Sequence, residues 1–456
     1  MTTSVAFYTL GCKANQYDTE IMKEAVREEP GYRLVRFFDN PDIAVINTCS
    51  VTGGADRKSR KYMRRAARKG AKVVATGCYT VLDSEDIIDI AEVDAVLPNS
   101  NKSGIVQTLE LVETGFQGQI KDIDGKAWDL EGQIISRDSN HTRAFLKIQD
   151  GCSNKCTFCK VRYLRGPARS KSIPTVIEEA TELGSQGFKE VVLTGINLAE
   201  YGEERGDLTE LVRELSRLED ISRIRLSSIN PEGVSRDLID VFKKSDKMCP
   251  HFHIPLQSGS NRILNAMNRG YTREFYLEKI DLIKRNLKGS SIGTDIMVGF
   301  PGETEDNFNR TRETVKAIRP INGHVFRFSP RKATPAAGLE EKVNSTVKKR
   351  RAEELRSLVS SISVDEKTKL SKNNQLDMII EEPSDKIDGW RGYSKNYLDI
   401  HLKNEKSGEA REPGNTLEVK VTRVNNDFCI GESLKLNRHE QRVTEAGNQI
   451  TSSQAR

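Results

Sequence analysis

The chain has 456 residues, 36% hydrophobic and 30% charged, with a net charge of +5. That length allows about three domains of roughly 150 residues, each able to bury its own core. No apolar run approaches the ~18 residues that span a bilayer, and the opening MTTSVAFYTLGCK lacks the pattern of a secretory signal, so a cytoplasmic protein with no membrane partner is expected. Eight cysteines in a chain this long are too sparse for a disulfide scaffold. In a reducing compartment, clustered cysteines read instead as metal ligands or redox groups.

Residues 1–115 alternate short apolar runs with polar helical stretches. The runs Val5–Leu10, Ile43–Asn47 and Val73–Thr76 make a βαβ pattern, which predicts an open parallel sheet with helices. Residues 116–142 are polar and weakly periodic, a connection between domains. Alternation resumes over 143–373, with strand runs Ala144–Ile148, Glu190–Leu193, Arg223–Leu226, Phe252–Leu256, Gly293–Val298 and His324–Phe328. About six βα units predict a full or partial (β/α) barrel, with its site at the strand C-terminal ends. A charged helix over Val347–Asn373 leads out of it. Residues 374–440 read as a small all-β module with strands Asp377–Ile380, Asn396–His401 and Thr416–Val421. The polar tail 441–456 is expected to be disordered. The fold class is therefore α/β, with a small β-barrel appended.

Just after the first barrel strand, Gly151-Cys152-Ser-Asn-Lys-Cys156-Thr-Phe158-Cys159 places three cysteines at CxxxCxxC spacing. Three thiolates on so short a loop suit one corner of an iron–sulfur cubane and leave one iron open to a small ligand. Structural zinc wants four closed ligands, and the nearest histidine, His141, precedes the strand. With its aromatic before the last cysteine, this segment resembles the signature of the radical S-adenosylmethionine (SAM) enzymes. The resemblance implies a 4Fe-4S cluster on Cys152, Cys156 and Cys159 whose open iron binds SAM, with Phe158 near the adenine. It also implies SAM contacts from Gly195 and Asn197 in Leu193-Thr-Gly-Ile-Asn, and from Gln257 and Ser258 after another strand. A polar residue on a barrel strand is equally often a satisfied interior group.

Cys12, Cys49 and Cys78 are far apart in sequence, yet each lies just past a predicted parallel strand, in TLGC, INTC and ATGC. The carboxyl ends of parallel strands converge on one edge of an open sheet, so three thiols can meet there. The plainer alternative is three buried core cysteines. Taken with the barrel motif, TLGCKANQYDTE, NTCSVTGGADRKSRKYMRRA, ATGCY and HVFRFSPRKATPAA resemble the radical SAM methylthiotransferase family over nearly the whole chain. That likeness implies a second 4Fe-4S cluster on Cys12, Cys49 and Cys78. It also implies no catalytic residues beyond the cluster ligands, a flavodoxin- or ferredoxin-type electron donor and a sulfur source.

The segment Arg57–Lys72 is strongly basic and helical in pattern, with Arg57, Lys58, Arg60, Lys61, Arg64 and Arg65 beside a cysteine. It is either a solvated face or a phosphate-binding edge. Trp390, Arg391, Tyr393 and Tyr397 mix aromatics with cations and could stack RNA bases or simply fill a small barrel. The module resembles a TRAM domain, which in this family contributes to RNA recognition. GCKANQ, NTCSVT and ADRKSR most resemble the branch that adds a methylthio group to C2 of N6-threonylcarbamoyladenosine at position 37 of tRNA. Other branches modify isopentenyladenosine in tRNA or an aspartate of a ribosomal protein. A more distant alternative is a non-catalytic metal-containing RNA-binding protein. Lys160 and Arg162 depart from the small apolar residues usual after the last barrel cysteine. Cys249 and Cys429 fit no cluster pattern and read as structural thiols.

Overall fold

The computed structural model describes residues 2–82, 87, 92–120, 130–133, 135, 142–202, 207–372, 375–404 and 411–434. Its contacts divide into two compact units, Met1–Ser363 and Val364–Arg456.

The first unit opens with β1 (Thr3–Thr9), α1 (Lys13–Glu28), β2 (Tyr32–Leu34), β3 (Ile43–Thr48), α2 (Gly53–Ala67), β4 (Lys72–Gly77), β5 (Ala95–Val96) and β6 (Gly118–Gln119). The strands form one sheet in the order β2-β1-β3-β4-β5-β6, every pair parallel. Every residue of β3 is buried, as a central parallel strand with both faces covered requires. Met63 of α2 packs with Ala44 and Ile46 on one face, and Met22 of α1 packs with Val5 and Val45 on the other. The long strands β1, β3 and β4 fall within two residues of their expected positions. The short strands β2, β5 and β6 are only two or three residues long and carry no periodicity to read.

Six parallel strands follow: β7 (Ala144–Lys147), β10 (Glu190–Thr194), β11 (Arg223–Leu226), β12 (His251–His253), β13 (Ser291–Val298) and β14 (Asn322–Arg327). They make two three-stranded sheets, β11-β10-β7 and β12-β13-β14. Isolated parallel bridges, Ile224 to Met248 and Ser228 to His253, join the two sheets. β7 and β14 do not pair among the described residues, so the barrel is partial. Its helices begin at hydroxyl caps: Ser172, Ser235, Thr272 and Thr304 each accept a backbone N–H of the first turn. Leu146, Val191, Ile224, Phe252 and Ile296 point outward into the core beneath those helices. Alternate positions carry charge, and Glu190 meets Arg225 at 2.6 Å at the barrel base. The strand expected over Phe252–Leu256 stops at His253, because Pro255 has no N–H to give a ladder. Between β7 and β10, β8 (Gln149–Asp150) and β9 (Arg169–Ser170) pair antiparallel as a ribbon.

The helix Ser345–Ser371 crosses the division between the units. In the second unit β15 (Leu376–Pro383), β16 (Gly389–Ser394), β17 (Asp399–Lys403), β18 (Thr416–Val424) and β19 (Cys429–Ser433) close in the order β15-β16-β17-β19-β18. Met378, Ile380, Ile400, Leu402, Val419 and Cys429 are fully buried. Two of these strands were not expected. β16 reads GWRGYS, whose glycines and cation mask the alternation, and β19 is CIGES. The tail 441–456 and most of 116–142 lie outside the described residues.

Candidate active site at the sheet edge and the barrel mouth

β1, β3 and β4 end side by side, with Thr9 opposite Asn47 and Thr48 opposite Gly77. The chain leaves this edge through Cys12 at the start of α1, Cys49 after β3, and Cys78 in a short turn after β4. Gly77 is indispensable to the third exit. Its φ is +93°, and a Cβ there would lie 2.4 Å from Asn47 Oδ1 and 2.5 Å from the Thr48 carbonyl. Fully buried Asn15 donates to the carbonyls of Leu10 at 2.8 Å and Thr48 at 2.9 Å, fixing two of the cysteine loops to each other. Its Oδ1 lies 3.9 Å from Cys78 Sγ, so one side chain touches all three exits.

Cys49 and Cys78 are buried and Cys12 is exposed. Burial pushes the Cys49 thiol up to about 11, and the neighbouring Cys78 and Cys12 add to the shift. Burial raises Cys78 as well, opposed by the Arg165 guanidinium and by Lys102. The sulfurs therefore feel one another. Such thiols keep their protons until a metal displaces them.

The barrel cysteines sit on a loop pinched at its base by the β8–β9 ribbon. Cys152 N–H donates to the Gly166 carbonyl at 3.1 Å, closing the loop. Gly151, at φ +73°, permits this: a Cβ there would fall 1.9 Å from the Pro167 carbonyl oxygen. Arg269 donates to Cys156 Sγ at 3.2 Å and to Asn230 Oδ1 at 2.8 Å. The Glu200 carboxylate accepts from Ser153 N–H at 3.0 Å. Burial, with Glu200 beside it, pushes the Cys152 thiol up to about 12. Burial pushes Cys159 up to about 11, opposed by Arg269.

Among the described residues, no three or more His, Cys, Asp or Glu close around a single metal ion. A cubane asks for something else: each thiolate takes its own iron, and the sulfurs stand at separate corners. Both triads offer sulfur alone, with Arg165 and Lys102 beside one and Arg269 beside the other to offset thiolate charge. The donors fit two such clusters.

Around the barrel mouth, Gln149 Oε1 accepts from Ile196 and Asn197 N–H, each at 2.9 Å. Gly195 makes room for it, since a Cβ would lie 2.8 Å from that oxygen. Asn197 is buried and its Oδ1 caps the Leu198–Glu200 turn. Gln257 is a non-glycine residue at φ +62°, held between the Asp295 carbonyl and Met297 N–H at 2.8 Å each. Backbone strain of that kind clusters at ligand sites. Ser258 is fully buried, and its hydroxyl accepts from Ser260 N–H at 3.2 Å, so it supports the Gln257 turn. Phe158 packs beside Met267, Phe300 and Phe328. His253 meets Asp295 at 3.1 Å.

The loop after β14 seats α2. Arg331 Nη2 reaches Asp56 Oδ2 at 2.6 Å and the Ser50 carbonyl at 3.0 Å, next to Cys49. Further along α2, Arg57, Arg60, Lys61, Arg64 and Arg68 line a shallow cavity of about 340 Å³. Lys58 is exposed, and Arg65 lies 4.7 Å over the ring of Phe38, itself 51% exposed. In the second unit Trp390 and Tyr393 are half-buried, and Tyr393 stacks on Tyr397 with centroids 4.8 Å apart. Arg391 is bound by Asp399 at 2.9 Å and Glu382 at 2.8 Å.

Residues 146–315 match the Radical SAM superfamily, and residues 4–98 match Uncharacterized protein family UPF0004. The chain is 40% identical to the threonylcarbamoyladenosine tRNA methylthiotransferase MtaB of Aquifex aeolicus, over 87% of this chain and 96% of that one. It is 35% identical to the MtaB of Bacillus subtilis, over 97% and 98%. The chain belongs to the radical SAM methylthiotransferase family. SAM and 4Fe-4S clusters are its cofactors. It is also 34% identical to the tRNA-2-methylthio-N(6)-dimethylallyladenosine synthase of Pelotomaculum thermopropionicum, over 83% and 87%. Its fold resembles the radical SAM methyltransferase TsrM of Kitasatospora setae, with a TM-score of 0.58 at 13% identity over 74% of this chain and 77% of that one.

The candidate site also holds residues that sequence reasoning passed over: Asn15, Asp18, Gln149, Glu200, Arg269 and Phe38; Arg165 reads in the sequence only as one more cation after Cys159, with no partner to name. Asn15 and Asp18 were reachable, because they follow Cys12 at i+3 spacing on one helical face. Arg269 lies 113 positions from its sulfur partner, and no local pattern announces it.

Proposed function

We propose that this methylthiotransferase acts on tRNA, placing a methylthio group on C2 of N6-threonylcarbamoyladenosine at position 37, beside the anticodon. The reading rests on two three-thiol sets opening within one compact unit, in a chain alike over 87% and 97% of its length to enzymes named for that reaction. Cys12, Cys49 and Cys78 would hold the auxiliary cluster, and Cys152, Cys156 and Cys159 the one that takes SAM. When bound, the clusters and SAM supply the radical and the methylated sulfur needed at an adenine C2–H too unreactive for acid–base catalysis.

The chain's own residues bind and orient. Phe158, Gly195, Asn197 and Gln257 frame SAM at the barrel mouth, and Ser258 acts through the turn that carries Gln257. Arg57, Lys58, Arg60, Lys61 and Arg64 on α2 meet the phosphate backbone. Arg65 and Phe38 together form a flat cationic platform on which a base can stack. Trp390 and Tyr393 offer stacking surfaces on the C-terminal barrel, and Arg391, its charge already balanced by Glu382 and Asp399, adds a plane more than a charge. A flavodoxin- or ferredoxin-type donor supplies electrons, and a separate source replaces the sulfur. Among the described residues no helix is long and apolar enough to cross a membrane; the cytoplasm is where a tRNA substrate would be met.

The test is anaerobic turnover of the reconstituted protein with SAM, reductant and either tRNA or ribosomal protein, followed by mass spectrometry of the digested nucleosides and peptides. Methylthiolated threonylcarbamoyladenosine is the expected product. A methylthio group found only on isopentenyladenosine, or on an aspartate of a ribosomal protein, overturns the substrate assignment.

A further inference from the structure

One side chain reaches both cysteine loops. Arg165 ends the short helix Val161–Arg165, six residues past Cys159. Its Nη1 donates to both oxygens of Asp150, at 2.9 and 3.0 Å, and Asp150 stands two residues before Cys152. Its Nη2 donates to Asn15 Oδ1 and, at 3.1 Å, to Asp18 Oδ2. Asn15 is the residue that fixes the Cys12 and Cys49 exits to each other. Arg165 also lies beside the Cys78 thiol, where its charge opposes the effect of burial.

The surroundings make this link rigid. Arg165, Asp18 and Asp150 side chains are at most 2% exposed. Lys102 joins Asp18 at 2.6 Å, and Lys147, from the first barrel strand, bonds Asp18 and lies 3.4 Å from Asp150. Three cations thus hold two carboxylates in a buried contact between the sheet and the barrel. Burying so many charges is costly, and hydrophobic residues of equal volume serve stability as well or better. Its planar fork can bond Asp150 and Asn15 at once, which a lysine cannot do.

We propose that Arg165 is a positioning residue that fixes the spacing between the two cysteine loops and places a permanent positive charge beside the Cys12–Cys49–Cys78 triad. The inference rests on the two-cluster reading above. Loop spacing governs how a radical formed over one triad is matched to sulfur held on the other. A displacement of about 1 Å can cost as much as a hundredfold in such a step. The fixed charge favours the reduced, more negative state of whatever the triad holds.

The test compares wild type, Arg165→Lys and Arg165→Gln after anaerobic reconstitution. It measures iron content, both cluster midpoint potentials by titration with paramagnetic resonance detection, and methylthiolated nucleoside formed per 5′-deoxyadenosine. Arg165→Gln is expected to lower the auxiliary potential and cut the product ratio at least tenfold. Arg165→Lys keeps the charge and restores the potential, yet leaves the ratio low because the fork is gone. Should Arg165→Gln fold poorly, Arg165→Gln combined with Asp150→Asn relieves the stranded carboxylate; because it removes one charge of each sign, it is read by the product ratio alone. Unchanged potential and ratio in the glutamine variant, or full recovery of the ratio by lysine, overturns the proposal. Wild-type protein that loads two clusters but yields no methylthiolated tRNA sinks the functional reading instead, while the potential shift still reports on Arg165.

Discussion

As the proposed cluster ligands, the two cysteine triads would solve one coordination problem by different means. Cys12, Cys49 and Cys78 come from three strands of a sheet, so their spacing is set by interstrand distance and is as rigid as the domain. Cys152, Cys156 and Cys159 come from a single loop, and the β8–β9 ribbon is what fixes it. A sheet-built triad needs the whole domain folded before it can bind anything. A loop-built triad needs only its own base pinched shut. Their electrostatics differ too: Arg165 and Lys102 stand beside Cys78, whereas Cys152 has Glu200 at hand and Cys159 has Arg269.

The strongest way to break the comparison is to remove each triad in turn. Cys152, Cys156 and Cys159 changed together to alanine are expected to abolish SAM cleavage and product alike. Cys12, Cys49 and Cys78 changed together should abolish product, lose about half the iron and retain SAM cleavage. Iron and sulfide assays with 5′-deoxyadenosine quantification decide it, and unchanged iron in the second variant removes the auxiliary site. Next in size is Glu190→Gln at the barrel base, which removes the carboxylate that Arg225, Arg223 and Arg143 face and should cost roughly 3–5 kcal/mol in urea unfolding.

Glu190 also predicts a pH dependence. Burial favours its neutral form, but Arg225, then Arg143 and Arg223, hold the carboxyl down at about 2. The folded value lies below the roughly 4.3 of an unfolded chain, so its contribution is complete above that and is lost as pH falls toward about 2. The wild-type unfolding free energy should fall over that window, and less steeply in Glu190→Gln.

Smaller perturbations sharpen the contrast. Gly77→Ala should cost about 1–3 kcal/mol of backbone strain and lower the iron of the sheet triad alone, whereas Gly151→Ala should lower that of the loop triad. Iron stoichiometry beside thermal melting separates the two, and equal loss from both sites in either variant would contradict independent anchoring. Smallest is Arg60→Ala or Lys61→Ala on α2. Each should reduce the slope of log affinity for tRNA against log salt by about one unit or slightly less, read by filter binding at several salt concentrations.

The long strands of the sheet were legible because Ile43–Asn47 and its neighbours are short apolar runs between polar helices. CxxxCxxC was legible because its geometry is local. The first triad was legible only after the strand ends had been brought together in thought. The charge network between sheet and barrel was not, because Asp18 and Lys147 are 129 positions apart and nothing near either names the other. Lys160 and Arg162 stood out as unexpected cations. Yet Lys160 is buried, Arg162 lies over Tyr163 at 4.7 Å, and it is Arg165 that spans the loops. Asn197 and Ser258 show a further limit. A polar side chain at a strand end can serve its own backbone or a ligand, and composition does not distinguish the two.

α2 joins two tasks through one rod. Its first turn is fastened by Arg331 next to Cys49, and its cations continue to the far end of its fifteen residues, a span of about 22 Å. A rod of fixed length is a gauge. On the role proposed for α2, phosphates held along it would stand at set distances from the reacting centre, so the anticodon arm would be measured by its contour, and any tRNA with the right base at the right reach would satisfy it, whatever the letters in between.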